Sequence, residues 1–215
     1  MVLFIVSLIL GGMLVPLATQ LEIRQRNEVD DKLEEIKDAL IGFAIINGRL
    51  PCPTINTDPT SASYGEEDTP CDDQSEAEGY LPWETLGLGE FDPWGIVRSS
   101  VSDPMYGYYR YRVDRAFACT TVDCNDSTIT LSQAFSDSLV VQDAAGNALT
   151  SATEPPVAII YSTGADQVPN DENADDNIAD GTYQGGPATE TFDDIVTWLS
   201  RPLLYSRLVT AGTLP

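Results

Sequence analysis

Histidine is absent from this 215-residue chain, and cations are scarce: 11 Lys plus Arg stand against 34 Asp plus Glu. Without histidine, the commonest general base, the commonest metal ligand and any CxxCH haem attachment are excluded. Four cysteines without a histidine rule out a Cys–His nucleophile. Both lysines, Lys32 and Lys37, lie near the N-terminus, which excludes a Ser–Lys pair in the remainder. Any catalysis would have to run on carboxylates, as in a glycosidase, and no pair of them is marked out. An enzyme is not expected.

The formal charge is -23. No Lys or Arg occurs between Arg49 and Arg98, or between Arg115 and Arg201, although both spans are rich in acids. Binding a phosphate backbone or an anionic membrane surface needs clustered cations, so nucleic acid is not an expected partner. Two readings of the charge stay open: a solvated, self-repelling surface, or capture of divalent cations.

What the chain does have is an uncharged start. Residues 1–20 carry no ionisable side chain, and the first is Glu22. A helix of that length reaches roughly 30 Å, the thickness of a bilayer's hydrocarbon core. The helical pattern then continues: Val29, Leu33, Ile36, Leu40 and Phe43 form one apolar stripe, with Glu28, Asp31, Lys32, Glu35 and Asp38 away from it. Glu28 and Lys32 form an i,i+4 pair of favourable order. Asn47-Gly48 signals a C-cap, and Pro51 and Pro53 prevent continuation. The pattern predicts a greasy half-helix over 1–21, an amphipathic half over 22–49, and a head over 50–215. The greasy half reads as a cleaved signal, a single-pass anchor, or one end of a long helix. Gly11, Gly12 and Pro16 inside it mark close helix packing, a tolerated kink, or a segment able to unwind.

The head begins with a stretch rich in Pro, Thr, Ser and acids over 50–80, read as an irregular loop. Cys52 and Cys71 bound it, and closing it stabilises by roughly 3 kcal/mol in a chain-entropy estimate. Four cysteines allow three pairings; Cys52–Cys71 with Cys119–Cys124 is the expected one. A zinc site lacks both CxxC spacing and histidine. A short helix or turn is expected over 83–88, strands over 107–113, 129–131, 139–142, 157–162 and 192–199, and a helix or turn over 202–211. In 107–113, Tyr109, Tyr111 and Val113 alternate with Tyr108, Arg110 and Arg112. These tyrosines read as a strand lying on the helix, against the alternatives of carbohydrate stacking or aromatic charge transport.

The stretch 166–180, DQVPNDENADDNIAD, collects hard oxygen ligands of the kind Ca²⁺ prefers. Asp166, Asp171, Asn173, Asp175, Asp176 and Asp180 are its candidate metal ligands. It is not an EF-hand: Asp176 stands at the glycine turn and Thr182 at the bidentate glutamate. A mobile, self-repelling acidic loop is the competing reading.

An apolar N-terminal helix that passes a proline and runs into an amphipathic half resembles the type IV pilin and type II secretion pseudopilin family. In the same order follow ALIGFAIINGRLPCP, LPWETLGL, the DPWG of Asp92 to Gly95 ahead of Tyr106–Tyr111, and FDDIVTW. The resemblance covers the helix well and the head patchily. It implies an α+β fold, with the long N-terminal helix packed on a small antiparallel sheet. It also implies a structural subunit that polymerises into a pilus or pseudopilus filament through its apolar half-helix. A membrane pool before assembly, partner assembly machinery, a periplasmic or extracellular filament, N-terminal methylation, export-compatible disulfides and a calcium-binding late loop follow from the same resemblance. The family's signature glycine, phenylalanine and glutamate are missing ahead of Met1, so the true start is expected upstream, with a leader. Arg24 and Arg26 alone would hold the head in the cytoplasm, and a basic leader would resolve that conflict. A monomeric, membrane-anchored extracytoplasmic binding protein or adhesin, or a minor tip pilin, is the alternative.

Overall fold

A computed structural model describes residues 2–118, 128–174 and 180–214, with the side chains of the first helix described from Gln20 onward. Helix α1, Val2–Asn47, runs uninterrupted for 46 residues. It ends where Asn47-Gly48 signalled: Gly48 adopts φ 73° and its N–H reaches the Ala44 carbonyl at 2.9 Å. Of the predicted stripe, Val29, Leu33, Ile36 and Leu40 are buried. Phe43 is only half-buried, and Ile41 and Ala44 take its place in the core. The Arg49 guanidinium lies 5.3 Å over the Phe43 ring instead. Lys32 pairs with Glu35 at 2.7 Å rather than with Glu28, and Lys37 pairs with Glu34.

The fold is α+β. Strands β1 (Glu78–Tyr80), β2 (Arg110–Val113), β4 (Pro156–Ser162) and β6 (Ile195–Ser200) form an antiparallel sheet in the order β1-β2-β4-β6. Its core against α1 collects Tyr109, Tyr111, Val113, Ala158, Ile160 and Leu199 with the helix stripe. A second layer, the parallel pair β3 (Val140–Gln142) and β5 (Thr182–Gln184), covers the other face through Leu139, Val141 and Tyr183 against Ile159 and Tyr161. Covered on both sides, β4 is buried along its whole length, which is why its sequence is an unbroken apolar run.

Helix α2 (Trp83–Leu86) is one turn, and α3 (Arg201–Ala211) follows β6 directly, its N-cap Ser200 accepting from Leu203 N. β4 ends beside β6's start, where the Asp193 carbonyl accepts from Arg26 of α1, so β6 leaves this end of the helix and runs toward its C-terminal end. Helix α3 therefore lies at the far end, beside Asp38, Ile41 and Ile45 of α1.

Several expectations need correction. The strand expected over 129–131 does not form: Ile129 N–H donates to the Gly48 carbonyl at 2.7 Å, so this backbone is used to finish the helix cap. The strand expected from 107 starts at Arg110. Thr54 bridges Tyr80 and β1 closes the 50–80 stretch, which is less irregular than its composition predicts. The loop is held by acids: Asp68 accepts from Ile55 N and Asn56 N, and Glu67 accepts from Cys52 N and takes a bidentate Arg49 pair at 2.7 Å. Among the described residues, no helix is long and apolar enough to cross a membrane; residues 1–19 lie outside that side-chain description.

Candidate functional site

The acidic loop after β4 is built around two aspartates that ligand-counting passed over. Asp193 and Asp194 precede β6 and turn into the loop. Asp194 Oδ2 accepts from Asn170 N at 3.0 Å and Asn173 Nδ2 at 2.8 Å. Asp193 Oδ2 accepts from Ala165 N at 2.6 Å and Asp166 N at 3.1 Å. Their other oxygens, Asp193 Oδ1 and Asp194 Oδ1, are buried without a hydrogen-bond partner. Asp194 is 1% exposed, and burial pushes its carboxyl up to about 6. The only signal in the sequence was the acid pair inside FDDIVTW, directly ahead of an apolar strand.

Of the predicted ligands, Asp166 is tied to Val168 N and Asn170 Nδ2. Asp171 Oδ2 accepts from Gln184 Nε2, and Asn173 is held between Gln184 and Asp194. Asp180 Oδ1 accepts from Thr182 N at the entry to β5. Asp175 and Asp176 lie outside the described residues. Among the described residues no three acidic side chains converge on one point. The neighbours of Asp193 and Asp194 are mainly N–H donors, and the two orphan carboxylate oxygens alone fall short of the roughly six to eight oxygens that Ca²⁺ takes. Beside it, a cavity of about 550 Å³ is lined by Asp143, Asp171, Gln184, Pro187 and Phe192.

The DPWG motif has a structural use. Asp92 is buried, accepts from Trp94 N at 2.9 Å and Ser162 Oγ at 2.5 Å, and its N–H donates to the Gly107 carbonyl. Burial pushes its carboxyl up to about 6. A Cβ on Gly107 would sit 2.3 Å from Gly95 Cα, so two glycines let the two loop segments touch there. The turn joins the start of β2 to the end of β4.

The tyrosines are interior. Tyr109 and Tyr111 lie in the core under α1. Tyr108 stands edge-on to Trp83 and Phe91, takes part in a 2.7 Å bond with the Tyr64 hydroxyl and donates to Glu90 at 2.6 Å. Rings so covered have no face free for a sugar; of the three, Tyr111 lies in a strand on the helix, Tyr109 packs under α1 just ahead of that strand, and Tyr108 packs on Trp83 and Phe91.

Cys52 and Cys71 form the expected disulfide, with Cα atoms 5.8 Å apart. Cys119 and Cys124 lie outside the described residues. Gly11, Gly12 and Pro16 fall within the unbroken span of α1, outside the side-chain description. No family model, characterised protein or solved structure matches this chain.

Proposed function

We propose that this chain is the structural subunit of a type IV pilus or pseudopilus filament. The observation that carries this is a single 46-residue helix whose amphipathic half holds the head's sheet on one stripe, while its uncharged half continues beyond. In the membrane pool the uncharged half rests in lipid. Assembly moves it into a bundle of identical helices, so apolar surface stays out of water throughout. The acidic head forms the outer shell. No residue is given a catalytic role.

At -23 per subunit, neighbouring heads repel. Salt is therefore expected to promote assembly by screening, and filaments equally stable in low salt with chelator would sink that mechanism. Calcium is proposed to act further, at Asp193 and Asp194, where it would partner the orphan oxygens. Millimolar Ca²⁺ is expected to raise the melting temperature of the wild-type protein at pH 7 but not of Asp194→Asn.

The decisive experiment is electron microscopy and subunit content of sheared surface filaments. A filament dominated by this chain is expected. A chain that stays monomeric in the membrane fraction would favour the tethered binding protein or adhesin.

A further inference from the structure

The two ends of the head carry features that nothing in the fold uses. At the end near Arg26, the loop over residues 96–106 exposes three β-branched side chains: Ile96 at 55%, Val97 at 73% and Val101 at 57%. The loop is held from inside. Arg98 is buried and donates to the carbonyls of Asp103, Thr57 and Val101, while Asp103 Oδ2 accepts from Ser99 N and Ser100 N. The apolar tip is thus presented without an ordering cost at the moment of contact. It is also locally neutral, with Arg98 and Asp103 as its only charges, in a chain of net charge -23.

The opposite end holds a groove. Between α1 and α3, about 430 Å³ of space is floored by Ile41, Gly42, Ile45 and Ala211 and rimmed by Asp38 on α1 and Arg207 on α3. A Cβ added to Gly42 would meet nothing within 4 Å. Residues 195–215 contain Arg201 and Arg207 and no acid, the reverse of the rest of the head. Arg201 is paired with Glu154; Arg207 is exposed and makes no ion pair among the described residues. The groove and the tip are separated along α1 by the span from Arg26 to Gly42, about 24 Å at 1.5 Å per residue.

Two complementary patches at opposite ends make a heterologous contact, which builds an open filament when its rotation does not close into a ring. We propose that the 96–106 loop of one copy seats Val97 and Val101 in the α1–α3 groove of the next copy. The neutral tip lets two strongly acidic heads approach. Asp58, beside Thr57 at the tip's rim, then faces Arg207 at the groove's rim. The proposal rests on the filament reading and adds the head-to-head surface to it.

The test uses the full chain with cysteines placed at both patches, Val97→Cys and Gly42→Cys, in assembled filaments oxidised with copper–phenanthroline. On non-reducing gels, the double variant is expected to give a ladder of dimers, trimers and higher species. Filaments mixed from the two single variants should stop at dimers, and neither single variant alone should cross-link. Filaments that form without any cross-link, or Val97→Cys dimers on their own, would overturn the contact while leaving the filament reading intact. A wild-type chain that makes no filaments overturns both. As a second measure, Val97→Asp should cut sheared filament yield roughly tenfold or more, equivalent to about 1.4 kcal/mol of contact energy. The side chain is exposed, so the melting temperature should not change. Undiminished yield counts against the proposal.

Discussion

Aspartates on the surface turns and aspartates inside the head carry the same side chain and respond to pH in opposite ways. Asp58, Asp73, Asp103 and Asp143 sit at exposed turns, where hydrogen bonds from neighbouring residues hold their carboxyls below the usual range. Asp92, Asp114 and Asp194 are buried with no Lys or Arg bonded to them among the described residues, and burial pushes each up to about 6. Asp114 shows the compensation: it accepts from the N–H groups of Ala116, Ser136 and Asp137. A net charge of -23 is therefore not one uniform property. Most of it is solvated skin, and a small part is spent organising backbone inside.

The largest test of that contrast is Asp114→Ala. It orphans three N–H donors at once, those of Ala116 and Asp137 buried and that of Ser136 part-buried, and urea unfolding should show a loss of about 3 kcal/mol. A loss indistinguishable from that of a surface aspartate would break the distinction.

The pH dependence of unfolding comes next. For the buried three, the folded value lies above the unfolded one, so their contribution is fully present below about 3.8 and is lost as pH rises through about 6. In that window each group adds stability on acidification at no more than about 1.4 kcal/mol per pH unit. For the surface four the sign reverses: their contribution is present above the unfolded value and is lost as pH falls through the lowered folded value. Maximum thermal stability is therefore expected between pH 4 and 5 rather than at pH 7, measured in calcium-free buffer. A maximum at neutral pH would remove the argument.

The smallest effect should come from Asp143→Ala. Its carboxylate bonds Ala145 N and Asn147 N in the exposed turn after β3. The melting temperature should move by little more than the error of the measurement, with the small deficit present above the ordinary carboxylate range and lost as pH falls through the lowered folded value.

Most local patterns in the sequence were read correctly, although Lys32 chose Glu35 over Glu28 and Phe43 left the stripe's core face. The stripe of Val29, Leu33, Ile36 and Leu40, the Gly48 cap, the apolar run of β4 and the Cys52–Cys71 pair all depend on spacing that a short window contains. Residues 129–131 misled because the run is too short to fix its own pairing: only Ile129 is buried, with its backbone capping a helix, while Thr130 and Leu131 are exposed. Strand β5 and the parallel β3–β5 pair went unread because pairing partners lie about forty residues apart. In the acidic loop, counting oxygen donors favoured the densest acids, whereas the carboxylates with orphan oxygens, Asp193 and Asp194, come from the segment just ahead of β6, beyond β5.

By itself, then, the sequence determined the long helix with its uncharged and one-sided halves, the acidic character of the head and the absence of histidine chemistry. These follow from composition and period, which need no knowledge of what lies opposite. Tertiary structure alone decided which aspartates are buried, which tyrosines are covered, that a second sheet layer closes the far face, and that an apolar tip and an apolar-floored groove stand at opposite ends. Each of those depends on contacts between distant segments, and burial is a property of the neighbours as much as of the residue.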